Sequence, residues 1–181
     1  QSPDVNSVGF SQTQAAMTLT EHLLQRGRQR IAFAAAQLDP RTMQRLDGWR
    51  KTLKAAKLYD KALSYTNKSP SSMALGGEML QHIMAQDPSI DAIFFCNDDL
   101  AQGALLAAQR LKIKVPQQLA IAGFNDLTGS DLVGPGLTTI RTPRAAIGEA
   151  AAKMLLNLMR EEDVPTPSVD VGYELMVRGS T

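Results

Sequence analysis

The chain has 181 residues, of which 44% are hydrophobic, 20% charged and 5% aromatic, with a net charge of +1. That balance argues against these residues gripping nucleic acid or an anionic membrane surface, both of which call for a basic excess. One cysteine excludes an intramolecular disulfide framework and a multi-cysteine zinc site and fits a reducing compartment, and no apolar run reaches the roughly 20 residues of a membrane span.

In chain order, the opening Gln1-Ser2-Pro3-Asp4 is not a signal peptide and, without an initiator Met, reads as an internal start. Val5 to Phe10 is β-prone. Ala16, Leu19, Leu23 and Leu24 recur at helical spacing from Thr13 to Arg26, and Gly27 sits at the C-cap. Arg30 to Ala35 is a near-continuous apolar run, as a parallel strand buried on both faces requires. A polar loop, Gln37 to Thr42, leads to a helix marked by Met43, Leu46, Trp49, Leu53 and Ala56. Trp49 on that face is expected in the core. Ala62 to Tyr65 is a weak strand, Ser71 to Gln86 a helix, Ala92 to Cys96 a strong buried strand, Asp99 to Leu111 a helix and Leu119 to Gly123 another strand. This alternation predicts βα units on a parallel sheet flanked by helices, an α/β fold. Gly129, Gly134, Pro135 and Gly136 mark a loop or crossover. Leu137 to Ile140 is a short strand, Thr142-Pro143 opens a helix with Thr available as its cap, and Val169 to Val177 reads as one or two terminal strands.

In an open parallel sheet, ligands bind beyond the carboxyl ends of the strands. That selects four loops: Ala36 to Arg45, Asn67 to Ser72, Asn97 to Asp99, and Phe124 to Thr128. They carry Gln37, Asp39, Arg41, Arg45, Asn97, Asp98, Asn125 and Asp126. Amides both donate and accept, matching hydroxyls, and arginine offers a planar fork to a carboxylate or vicinal diol. Each residue also has a plainer role. Asn97, Asp98 or Asp99 would cap the following helix, Asn125 and Asp126 would make a turn, and Arg41 and Arg45 would be solvated or ion-paired. No nucleophile elbow, Walker loop or dinucleotide fingerprint occurs, and His22 and His82 lack partners at metal-ligand spacing. Cys96, at the end of a buried strand, reads as an inert thiol. A binding module without catalytic residues, cofactor or metal is therefore expected. Asp98, Asp99 and Asp126 leave open a Mg²⁺-dependent phosphohydrolase or receiver-like domain.

Several segments together resemble the effector-binding domain of LacI/GalR-type transcription regulators. They are Val8-Gly9-Phe10, His22 through Phe33, Arg45-Leu46-Asp47-Gly48-Trp49, Cys96 through Ala104, Val115-Pro116, Ala120 through Asp126, Leu137 through Arg144 with Ile147-Gly148, and Val177 through Thr181. Leu38-Asp39-Pro40-Arg41-Thr42, with Asn97 through Leu100 and Ala120 through Phe124, is similar to the gluconate-operon repressor branch.

The resemblance implies a periplasmic-binding-protein-like fold of two α/β lobes with the ligand between them. It implies that residues 5–133 and 163–181 form the C-terminal lobe, that 137–162 belong to a mostly absent N-terminal lobe, and that the helix-turn-helix headpiece is absent. The Gly/Pro-rich run at 129–136 and the Pro165/Pro167 pair would then be hinge crossings. Carried onto this sequence, the resemblance makes Arg45, Asn97 and Asn125 ligand-facing, with Arg41 a second carboxylate contact and Phe124 either a pocket wall or core. Asn125 stands where many members carry aspartate, and a neutral amide suits an anionic sugar acid such as gluconate. Leu100, Ala101, Ala104 and Leu132 would lie on a homodimer surface. The implied partners are a sugar or sugar-acid effector and operator DNA through the absent headpiece, in the cytoplasm and without a membrane. The alternative is a periplasmic sugar-binding protein of the same fold.

Overall fold

The computed structural model describes residues 6–160 and 168–181, and they divide into two compact units. The larger comprises Gln12–Arg141 and Leu175–Thr181 and the smaller Gln1–Ser11 and Thr142–Glu174.

The larger unit is built on a parallel sheet of β2 (Ile31–Ala35), β3 (Ser64–Thr66), β4 (Ala92–Phe95) and β5 (Ala120–Ala122), in the order β3-β2-β4-β5. Every residue of β2, β4 and β5 is buried, as their uninterrupted apolar sequences require. Ile31 lies opposite Ala92, Phe33 opposite Phe94, and Ile93 opposite Ile121. Helix α1 (Gln12–Gln25) packs with α2 (Pro40–Ala55), and α3 (Met73–Gln86) with α4 (Asp98–Arg110). Right-handed crossovers put α2 on one face of the sheet and α3 and α4 on the other. The core centres on Phe33, which meets Trp49 at 5.8 Å and Phe94 edge-on at 5.1 Å. Trp49 is fully buried and its indole N–H donates to the Ile31 carbonyl.

Local chemistry sets the helix starts. Asp39, Ser72 and Asn97 cap α2, α3 and α4, each side chain accepting from the backbone N–H three residues on. Pro40 at the first position of α2 brings that helix forward into the expected 37–42 loop. Residues Lys61–Leu63 form a 3₁₀ turn, so the strand expected at 62–65 begins only at Ser64. The sheet continues through Ala122–Thr138 and Asn125–Arg141 bridges to β6 (Thr139–Arg141), which pairs with β8 (Glu174–Met176).

In the smaller unit β1 (Ser7–Gly9) runs parallel to β7 (Ser168–Asp170), with Val8 opposite Val169. Helix α5 (Arg144–Met159) begins after Pro143, without the side-chain cap expected from Thr142, and buries none of its residues.

The unit bounds differ from those expected. Residues 6–11 join α5 because the partner of β1 is β7. Residues 137–141 stay with the larger sheet because Gly123 N–H donates to the Thr138 carbonyl and Asn125 N–H to that of Ile140. The run at 129–136 closes turns inside the larger unit, through bonds such as Val133 N–H to the Gly129 carbonyl, and does not cross between units. Pro165 and Pro167 lie outside the described residues.

His22 on α1 is buried, its Nε2 2.8 Å from the Thr181 hydroxyl, which itself pairs with that of Thr138. Burial, then the nearby Arg26 charge, lowers its pKa from 6.5. The native state thus prefers the neutral ring. Its contribution is complete above the unfolded value of 6.5 and is lost as pH falls through the lowered folded value. The gap in Tm between the wild-type chain and His22→Gln is expected to narrow as pH drops below 6.5, read by thermal denaturation across pH. A constant gap would contradict this.

Candidate functional site

The chain reverses direction along the sheet between β2 and β4: β3 lies to one side of β2 and β4 and β5 to the other. A crevice opens at such a switch point, beyond the carboxyl ends of the two strands. A cavity of about 150 Å³ sits there, lined by Ala36, Gln37, Asp39, Arg41, Thr42, Arg45, Asn97 and Asn125. Three of the four loops selected from the sequence meet in it. The fourth contributes from behind, Ser71 donating its hydroxyl to Asn97 Oδ1 at 3.0 Å.

Arg45 is the centre of the site. It projects from α2 and is only 7% exposed. Its Nε donates to Gln12 Oε1 at 2.8 Å, one terminal nitrogen to the Cys96 carbonyl at 2.6 Å, and the other to Asn125 Oδ1 at 3.4 Å. All three acceptors are uncharged. The guanidinium stacks 3.8 Å above the Phe124 ring, and burial brings its pKa down to about 10. It remains a cation at neutral pH, desolvated, and among the described residues no carboxylate forms an ion pair with it, although Asp39 and Asp98 act on it from further off. Burying such a charge costs several kcal/mol, roughly, unless a counter-ion answers it. The partner on offer is whatever enters the cavity.

The other lining groups fit a polyhydroxylated anion. Asp39 is already engaged, capping α2 through Thr42 N–H and pairing with Arg41 at 3.3 Å. Its carboxyl feels burial as the largest influence, upward, but the bonds from Thr42 and Arg41 carry the net shift downward. The cavity lining therefore holds two guanidiniums, of Arg41 and Arg45, and one carboxylate, that of Asp39. Asn97 fills both roles open to it: Oδ1 caps α4 at Leu100 N–H, and the amide still lines the cavity, where its NH₂ can donate to a ligand.

Asn125 reaches the cavity from a turn with consecutive positive φ, 116° at Asn125 and 51° at Asp126. Each such residue costs on the order of 1–3 kcal/mol, least for Asn and Asp. Asp98 underpins that turn. Fully buried, it accepts from Leu127 N–H at 2.7 Å and from the hydroxyls of Ser130 and Thr139 at 3.1 and 2.7 Å. Burial raises its pKa. A Cβ on Gly123 would collide with Asp98 Oδ1, so only glycine admits the carboxylate here.

Of the two positions left open for Phe124 the structure has the core, and the homodimer expectation is corrected. Phe124 is wholly buried, stacked against Phe94 at a 6.4 Å centroid distance, and supports Arg45 from below without lining the cavity. Leu100, Ala101 and Ala104 are also fully buried, on the inner side of α4, and have no surface to offer a second copy; of that set only Leu132 is exposed, at 81%. The Mg²⁺ alternative loses two of its three carboxylates, because Asp98 already accepts from two hydroxyls and an amide and Asp126 is ion-paired to Arg141 and Arg178. Gln12, which orients Arg45, went unrecognised in the sequence: its role arises only when α1 packs on α2.

The family model for the periplasmic binding protein-like domain matches residues 20–181. The chain belongs to the periplasmic binding protein-like domain family. A transcription regulator named GntR from Pseudomonas aeruginosa is 52% identical over 177 residues, which is 98% of this chain and 52% of that protein. This periplasmic binding protein-like chain thus spans about half the length of that relative. The crystal structure of the regulator GntR from Chromobacterium violaceum superposes with a TM-score of 0.97 at 49% identity, covering 99% of this chain and 66% of that one. The complex of the transcription regulator CelR with cellobiose superposes at 0.89 and 26% identity, covering 98% of this chain and 54% of that one. The resemblance to LacI/GalR-type effector-binding domains, nearest the GntR branch, holds.

Proposed function

We propose that this chain is the effector-binding part of a transcription regulator and that its effector is a sugar acid, with gluconate the first candidate. The observation that carries this reading is Arg45: a desolvated cation whose protein partners are all neutral, at the wall of a small polar cavity. A carboxylate supplies the missing counter-charge, and the amides of Gln37, Asn97 and Asn125 suit the hydroxyls. Cellobiose bound to CelR supports the polyhydroxylated class, and the regulator relatives favour this reading over a periplasmic receptor. The domain performs no chemistry. Ligand binding shifts the protein between two states, and about 1–3 kcal/mol of differential affinity is enough to change operator binding by a headpiece elsewhere in the protein. We read the larger unit as the family's C-terminal lobe, the smaller as a piece of the other lobe, and the setting as the cytoplasm.

We also assign a homodimer contact to the outer face of α3 and α4. Met73 and Leu106 are 40% and 42% exposed there, and the loop carrying Leu132 is tied to α4 by Gln102, which donates to Ser130 Oγ and the Thr128 carbonyl. Leu106→Glu is expected to convert a dimer to a monomer in analytical ultracentrifugation; an unchanged dimer would remove this face from consideration.

The effector reading is tested by amide NMR during gluconate titration. Shifts are expected at Gln37, Thr42, Asn97 and Asn125. A second cavity, about 320 Å³ and lined by Tyr65, Asn67, Glu78 and His82 among others, offers no buried ionic group. Shifts confined to that cavity would overturn the assignment.

A further inference from the structure

The Asn125–Asp126 turn, with its two positive φ values, keeps its shape only if its surroundings over-determine it. Its backbone is held on one side: Asn125 N–H donates to the Ile140 carbonyl at 2.8 Å, Asp126 N–H to Thr139 Oγ1 at 3.4 Å and Leu127 N–H to Asp98 Oδ2 at 2.7 Å. The Asp126 side chain makes a different connection. One carboxylate oxygen accepts from Arg141 Nε and the other from an Arg178 terminal nitrogen, both at 2.8 Å. The Asp126 and Arg178 side chains are only 11% and 17% exposed, and Arg178 is fixed in turn by the Leu137 carbonyl at 2.7 Å. Such a partly buried, multiply bonded carboxylate is held far more firmly than a lone surface pair.

The two arginines have a shared position in the chain. Arg141 is the last residue before the chain leaves the larger unit, and Arg178 follows shortly after it returns at Leu175. A single carboxylate therefore ties the ligand-facing turn to strand β6, where the chain exits, and to the segment just after β8, where it re-enters.

We propose that Asp126 is a positioning residue, holding Asn125 in its ligand-facing pose and linking that pose to strand β6 and to the segment following β8 without touching the ligand itself. Its second consequence rests on the sugar-acid reading; its first does not. The ligand-free experiment is hydrogen–deuterium exchange of the intact gene product with Asp126→Asn, which keeps the size of the side chain and removes its charge. Exchange at amides 125–127 and 139–141 is expected to accelerate about tenfold, while the urea midpoint moves little and the β2 and β4 amides stay protected. Arg178→Gln breaks the same pair from the other side and is expected to give the same pattern.

The ligand-bound experiment uses gluconate. In the wild-type protein it should slow exchange at 139–141 and 176–178. In Asp126→Asn that distant protection should vanish while protection at 37–42 persists. A double-mutant cycle separates positioning from general stability: Asn125→Ala and Asp126→Asn each weaken gluconate binding about tenfold, and the double variant is no weaker than Asn125→Ala alone. Unchanged exchange at 125–127 in both single variants would overturn the proposal, as would effects on binding that simply multiply. If exchange accelerates as expected but the wild-type protein binds no sugar acid, the positioning role stands and the effector reading falls.

Discussion

Arg45→Met is expected to abolish sugar-acid binding while leaving the fold as stable as before. The guanidinium fork and a ligand carboxylate would make two charge-assisted bonds, each contributing about 1.5–3 kcal/mol, so losing both weakens affinity by at least about 100-fold. Stability responds differently because opposing effects nearly cancel. Methionine fills most of the same volume above Phe124 and removes a cation that burial already disfavours, enough to bring its pKa to about 10. Against that, Gln12 Oε1, the Cys96 carbonyl and Asn125 Oδ1 each lose a donor. Unsatisfied, each would cost about 1–3 kcal/mol, but the polar cavity beside them admits water to replace the lost bonds. Replacing a buried charge by an apolar side chain of similar size is often neutral or stabilising. Calorimetry should find no gluconate binding, and thermal denaturation a Tm within a few degrees of wild type. A large fall in Tm would make Arg45 a structural residue and remove the main support for the effector reading.

The second large effect is on folding. Gly76 and Gly103 are reciprocal contacts where α3 meets α4. A Cβ on Gly76 would collide with the Leu100 carbonyl, and one on Gly103 with the Met73 carbonyl. Both obstacles are backbone, so an added methyl group can be accommodated only by moving one helix off the other. Alanine in a helix gains about 1 kcal/mol of propensity over glycine, whereas forced overpacking costs about 1–3 kcal/mol and more when backbone must shift. The clash wins. Gly103→Ala should lower the urea midpoint by roughly 1 M, taking an m-value of about 2 kcal/mol/M. Gly148 in α5 is the internal control: nothing lies within 4 Å of its Cβ position, and Gly148→Ala should leave the midpoint unchanged or raise it. If both substitutions acted alike, close helix packing would not be the cause.

Much of this organisation is legible in the residues themselves. Buried parallel strands need apolar residues on both faces, which is why 31–35, 92–95 and 120–122 stood out so clearly. The loops holding Arg45, Asn97 and Asn125 followed from the rule that ligands sit at the carboxyl ends of strands, and the structure brings these three side chains together. What stayed hidden depends on facing. Helix α4 buries Leu100, Ala101, Ala104 and Leu105 yet leaves Leu106 42% exposed, and a sequence of apolar residues on a helix does not say which stripe meets the sheet. The Leu100 set was assigned to the wrong side for that reason. For Phe124 the sequence leaves wall and core open, and only the stacking of Phe94, Phe124 and Arg45 shows that the ring acts through its neighbour. Asp126 looked like an ordinary turn residue because Arg141 and Arg178, its partners, lie 15 and 52 positions away.

The sugar-acid proposal rests on a buried guanidinium whose hydrogen-bond partners are all neutral and which no described carboxylate pairs with directly. Calorimetric titration of the intact gene product with gluconate, and in parallel with glucose as its neutral counterpart, tests it most directly. Saturable one-to-one binding of gluconate, at least about 100-fold tighter than glucose, is the predicted result. Equal affinity for the two, or tighter binding of the neutral sugar, would contradict it.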